Sequence, residues 1–151
     1  MKKKNLLFVI PSLSAGGGEK SLVNLLSQID YDSYKVDLFL LNHEGLFMEF
    51  VPNEVNILSL PKTYQLFSLS LLQSIKMLLI KGNTLVAFNR LLYTIKNRMI
   101  KNITKREQYS WKHLATSLNK LEKKYDFAIG FLEKTSTYFC IEKVEATKKI
   151  G

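Results

Sequence analysis

The sequence predicts a three-layer α/β domain with a mostly parallel sheet. Three observations carry this. Short apolar runs recur, and they are continuous rather than alternating, as in strands buried on both faces. An amphipathic helical segment separates the first two runs. The chain has 151 residues, 46% of them hydrophobic and 23% charged, which suits one domain with a packed core.

The elements follow in order. Residues 5–10, NLLFVI, form a first strand, closed by Pro11 and a Ser/Gly loop. Over residues 19–29, Leu22, Leu25, Leu26 and Ile29 recur at helical spacing, so one face is apolar. DYDSY at residues 30–34 breaks that pattern. Residues 35–41, KVDLFLL, form a second strand with a loop at 42–45, and residues 55–60, VNILSL, a third stopped by Pro61. A βαβ alternation has begun. It pauses over residues 64–124, which predict two or three helices with breaks near Gly82-Asn83 and around residues 105–109. Residues 126–131, DFAIGF, form a fourth strand, 135–142 a short helix capped from Thr135, Ser136 and Thr137, and 147–150 the opening of a fifth strand. The pattern is Rossmann-like, with an extra helical segment between the third and fourth strands. Ending inside an apparent strand, residues 1–151 read as one domain excised from a longer polypeptide.

Composition excludes several classes. One cysteine, Cys140, cannot form an internal disulfide and reads as a small buried hydrophobe. Lys2, Lys3 and Lys4 precede an apolar run, but five residues before Pro11 are too few for a signal peptide. Residues 66–80 are too short and too interrupted by Ser68, Ser70, Gln73, Ser74 and Lys76 to span a bilayer. A cytoplasmic location is expected. His43 and His113 stand far apart without an acid-rich cluster, so no metal site is predicted.

The glycine turn is the main functional signal. Gly16, Gly17 and Gly18 lie between a predicted strand and a predicted helix. Glycines allow close backbone approach, and a helix start offers unpaired N–H groups at the positive end of its dipole, an anion site. A tight turn without a ligand is the plainer reading. Two phosphate motifs fail: Glu19 separates Gly18 from Lys20, against the P-loop register, and Ser21 stands where the dinucleotide fingerprint needs its third glycine. Glu133 closes the fourth strand on the rim where ligands of open α/β sheets lie. A carboxylate there is a candidate general acid or base; the alternative is a solvated strand-end acid. His43 occupies the loop NHEG after the second strand.

The segments NLLFVIPSLSAGGGEKSLVNLLSQID, YKVDLFLLNHEG and YDFAIGFLEKTSTYF resemble the N-terminal half of family-four retaining glycosyltransferases, which have the GT-B architecture of two Rossmann-like domains facing a cleft. The resemblance covers the two ends of the chain, about half its length. It implies an acceptor-side domain of an enzyme moving a sugar from a nucleotide-sugar to a lipid-linked saccharide or surface polysaccharide. The C-terminal donor-binding domain would be absent and this piece inactive alone. The nucleotide-sugar enters as substrate, and no bound cofactor is implied. Gly16, Gly17 and Gly18 would line the approach to the donor diphosphate. The family often has alanine where Gly18 stands, and many members carry a histidine near the rim where this sequence has Glu133, the candidate catalytic residue. Glu19 would complement the positive helix end or touch the acceptor, and His43 would lie near the acceptor rim. The competing reading is a non-catalytic anion- or membrane-binding α/β module.

The net charge of +9 is concentrated. Residues 62–112 hold ten Lys/Arg and one acid, Glu107; the remainder holds twelve of each sign. Within residues 85–105, Leu85, Phe88, Leu92, Ile95 and Met99 recur at helical intervals, and Arg90, Lys96, Arg98, Lys101 and Lys105, followed by Arg106, supply charge. The expectation is a helix packed on the sheet by its apolar side, with its basic side either solvated or toward an anionic membrane, peripheral on the inner face of the plasma membrane. Each basic residue near such a surface contributes about 1 kcal/mol. Nucleic acid is not expected, since no helix-turn-helix or RNA-recognition pattern is present.

Overall fold

The computed structural model describes residues 3–132 and 134–151. Five strands form one all-parallel sheet: β1 (Lys4–Ile10), β2 (Tyr34–Leu40), β3 (Asn56–Ile57), β4 (Lys124–Gly130) and β5 (Glu145–Ile150), in the order β3-β2-β1-β4-β5. The chain divides into two compact units, Met1–Ser59 with Leu121–Gly151, and Leu60–Lys120.

The first unit is a Rossmann-like α/β layer structure. Because side chains alternate along each strand, the continuous apolar runs supply both faces of the sheet. One face carries Phe8, Ile10, Val36, Leu38 and Leu40. It packs against Leu22, Val23 and Leu26 of helix α1 (Gly17–Leu26). On the other face Phe39 stacks on Phe139 of helix α6 (Thr135–Lys143), ring centroids 4.2 Å apart and 13° from parallel. Removing two such rings from water stabilises by roughly 2 kcal/mol each, with the stacked contact adding to it.

Two boundaries differ from expectation here. The third strand pairs over two residues, Asn56 and Ile57, not six. As an edge strand it meets only β2, and after Leu58 donates its N–H to Leu38 O (2.9 Å) the chain leaves toward Pro61. Thr135, Ser136 and Thr137 lie inside α6 rather than capping it; Lys134, at φ 62°, holds the cap position, and its side chain does not cap the helix.

The second unit is all-helical: α2 (Lys62–Ser68), α3 (Leu71–Ile80), α4 (Thr84–Met99), α5 (Ile103–Leu114) and a 3-10 turn at Ala115–Ser117. The expected break at Gly82-Asn83 is present, with Gly82 at φ 74°. The second break falls at Ile100–Asn102, and residues 105–109 lie within α5. Asn102 explains the shift, since its side chain accepts the Lys105 N–H (3.0 Å) and starts the helix there. Buried Phe67, Leu78, Val86 and Ala87 form this unit's apolar centre. The apolar stripe of α4 is not part of it. Leu85, Phe88 and Met99 are 67%, 58% and 75% exposed, and Ile95 is exposed too, so the inward orientation expected of the stripe is wrong.

Candidate functional site

The strand order sets where a ligand can lie. From β1 the chain continues to β2 on one side, whereas β4 is followed by β5 on the other. The β1/β4 boundary is thus the topological switch point. In open α/β sheets ligands lie at such a point, where the loops leaving the carboxyl ends of the two strands diverge. Residues 11–16 leave β1, and the chain from Phe131 leaves β4. Phe131 N–H still bonds Val9 O (2.7 Å), holding the two exits together.

The glycine turn starts at this point. Gly16, in extended backbone, is the cap residue of α1 and makes no side-chain cap bond, so the first-turn N–H groups of Gly17, Gly18 and Glu19 have no intrahelical acceptor. The three glycines differ in their surroundings. The Glu19 carboxylate folds back over Gly16, so a side chain added at Gly16 would meet Glu19 Oε2. A side chain added at Gly18 would meet Leu132 Cδ2. Gly17 has nothing within 4 Å of where its Cβ would stand, and is the open position of the turn. Glu19 therefore brings its negative charge beside the positive helix end, and the Leu132 side chain covers Gly18.

The loop after β2 borders the same rim. Asn42 N–H bonds Pro11 O and Phe47 N–H bonds Leu13 O, each 2.9 Å. Gly45, at φ 150°, approaches the Leu13 carbonyl so closely that no side chain fits. His43 is exposed on this loop, beside the loop that carries the glycine turn. Glu133 lies outside the described residues. Its neighbours Leu132 and Lys134 both have positive φ, 60° and 62°, a conformation costly for residues with a Cβ.

One rim residue was not singled out in the sequence. Gly130 ends β4, and a Cβ there would stand 2.9 Å from Thr137 N and 3.0 Å from the Ser136 carbonyl carbon, so glycine permits α6 to pack directly on the strand end. Its signal was a glycine closing a buried strand just before a helix, the position where helix and sheet must approach. Ser136, in the first turn of α6, is fully buried, and its Oγ has no hydrogen-bond partner. Cys140, also on α6, is buried, which pushes its thiol up to about 11 and leaves it unreactive at neutral pH. Among the described residues no three His, Cys, Asp or Glu side chains converge as metal ligands.

A polar cluster occupies β2 and the chain around β4. Buried Asp37 accepts bonds from Lys123 Nζ (2.9 Å), the Tyr125 hydroxyl (2.7 Å) and Asn56 Nδ2 (2.9 Å). Burial alone would raise the Asp37 pKa, but these three donors outweigh it and hold the carboxyl below its usual range. Burial and then the bond to Asp37 push Tyr125 up. A depression of about 570 Å³ opens beside this cluster, lined by Tyr31, Tyr34, Asn56 and Lys123 among others. It lies toward the amino ends of the strands, away from the glycine turn. Every acceptor oxygen of Asp37 is engaged, which marks the cluster as a structural tie between β2, β3 and the approach to β4.

The basic residues of the helical unit divide into two groups. Arg90, expected among the membrane-facing residues, is turned onto its own unit. Its Nε donates to Phe67 O (2.7 Å), Nη2 to Leu69 O (3.1 Å) and Nη1 to Thr94 Oγ1 (2.6 Å), and it lies over the Phe67 ring. The guanidinium satisfies carbonyls at the end of α2, where cations are favoured. Lys96 and Arg106 are half-buried, Lys96 lying over the Tyr109 ring at 5.9 Å. Arg98, Lys101 and Lys105 are exposed. No helix among the described residues is long and apolar enough to cross a membrane. No family model, curated protein or solved structure matches the chain.

Proposed function

We propose that the chain is the acceptor-side domain of a retaining glycosyltransferase with GT-B architecture, moving a sugar from a nucleotide-sugar to a lipid-linked saccharide or surface polysaccharide at the inner face of a membrane. One observation carries this reading: the open N–H groups of the glycine turn stand at the topological switch point, with Gly17 facing free space. Backbone donors at a helix start suit a diphosphate because they are fixed before the ligand arrives and lie at the positive end of the dipole. The Glu19 carboxylate, on a flexible stem, would swing from Gly16 as a phosphate approaches. His43 on the adjoining loop is the candidate acceptor contact, and Glu133 the candidate catalytic carboxylate.

The glycine turn also gives the test. A Cβ at Gly17 meets no atom within 4 Å, so the fold has room for a side chain to begin there, and the methyl groups of valine would occupy the space in front of the N–H donors. In the polypeptide that joins this chain to a donor-binding half, a nucleotide-release screen over nucleotide-sugars is expected to identify a donor. Gly17→Val should lower that turnover at least about tenfold with an unchanged circular dichroism spectrum. Unaltered turnover removes the phosphate role. The second reading is a non-catalytic anion- or membrane-binding module, favoured by the way Glu19 and Leu132 already cover Gly16 and Gly18. Failure of every donor would establish it over the transferase.

A further inference from the structure

We infer that the helical unit docks on an anionic lipid bilayer by burying the outward apolar stripe of α4 in the membrane interface, with the neighbouring basic side chains meeting the headgroups. Leu85, Phe88, Leu92, Ile95 and Met99 follow one another at steps of three, four, three and four residues, a single helical face. From Leu85 to Met99 of α4 it runs about 21 Å. The opposite face is spoken for: Arg90 bonds the end of α2, and Asn97 Oδ1 accepts from Ser110 of α5 (2.8 Å). The unit therefore packs through the back of α4 and turns the stripe out. Leu79 and Ile80, just before the turn into α4, and Ile103, just after it, are exposed as well.

Charge decides the occupant. At about 100° per residue, Lys96 and Arg98 fall on either side of the stripe, and Lys101 and Lys105 follow it, exposed. Leu60–Lys120 contains eleven Lys/Arg and a single acid, Glu107. A second copy seated on the stripe would bring Lys96 and Arg98 against their own counterparts, with no acidic row to receive them. An anionic bilayer supplies both an apolar phase for the stripe and negative charge for its margins. The inference does not use the transferase reading; a binding module would dock the same way.

The test uses the 151-residue chain and sedimentation with vesicles of phosphatidylcholine, alone or mixed with phosphatidylglycerol. Binding is expected only to the mixed vesicles and should weaken with salt. The double substitution Phe88→Ser with Met99→Ser touches only exposed side chains. It should leave helix content unchanged and raise the lipid needed for half-binding at least about tenfold. Phe88→Trp should show a blue-shifted emission on the mixed vesicles. Binding insensitive to the double substitution, or a tryptophan that stays in water, means surface electrostatics alone and overturns the inference. So does a failure to bind lipid accompanied by a concentration-dependent dimer that the double substitution abolishes, since the occupant is then a second copy.

Discussion

The two units of this chain treat apolar residues in opposite ways. In the sheet unit the strands contribute alternate residues to both faces, and each face is covered, one by α1 and the other by α6. In the helical unit a small centre around Phe67, Leu78, Val86 and Ala87 is accompanied by an outward stripe that includes Leu85, Phe88 and Met99. Charge differs in parallel. The sheet unit carries eleven basic and twelve acidic residues, whereas the helical unit carries eleven and one. The exposed apolar stripe and the surplus of positive charge together are what the bilayer proposal rests on, whereas the sheet unit has near-balanced charge and two covered faces.

Phenylalanine provides the widest contrast. Phe39→Ala, which removes one ring of the buried Phe39–Phe139 stack, should cost about 3–5 kcal/mol, read as a lowered urea midpoint at unchanged slope. Phe88→Ala should move the same midpoint by less than about 0.5 kcal/mol. Equal losses would mean that the α4 stripe is packed after all. Asp37→Asn comes next, at about 2 kcal/mol, because it weakens a charge-assisted cluster. Its pH dependence has a definite sign. Asp37 titrates below its usual range in the fold, so its contribution is present above the unfolded value, about 3.9, and is lost as pH falls through the folded one. The gap between wild type and Asp37→Asn should therefore close below about pH 4. A smaller loss than at Asp37 is expected at Arg90. Arg90→Met should cost about 1.5 kcal/mol by freeing the carbonyls of Phe67 and Leu69, and should leave vesicle binding unchanged. Reduced vesicle binding at equal stability would return Arg90 to the membrane side.

The order of elements was legible wherever a segment declares its own environment. A continuous apolar run such as NLLFVI has no polar face to expose, so it is a central strand. Leu22 and Leu26 recur at one helical turn, so α1 has one buried side. The position of the glycine turn was legible for the same reason, as punctuation between two strong patterns. Gly130 was not, because its requirement comes from the α6 backbone standing 2.9–3.0 Å from its missing Cβ, a contact between elements. Nor could the covering of Gly18 be read, since it belongs to Leu132, over a hundred residues away in the chain.

By itself, then, the sequence determined which residues share a strand, a helix face or a turn, because those relations depend on local periodicity and backbone preference. It set the stripe of α4 and the ring of charge beside it. Only the tertiary structure decided which way that stripe points, that Arg90 serves the end of α2, that β3 pairs over two residues, and which of the three glycines stays open. Each depends on what lies opposite in space. A helical period says which side chains travel together and leaves their destination to the neighbours against which the helix packs.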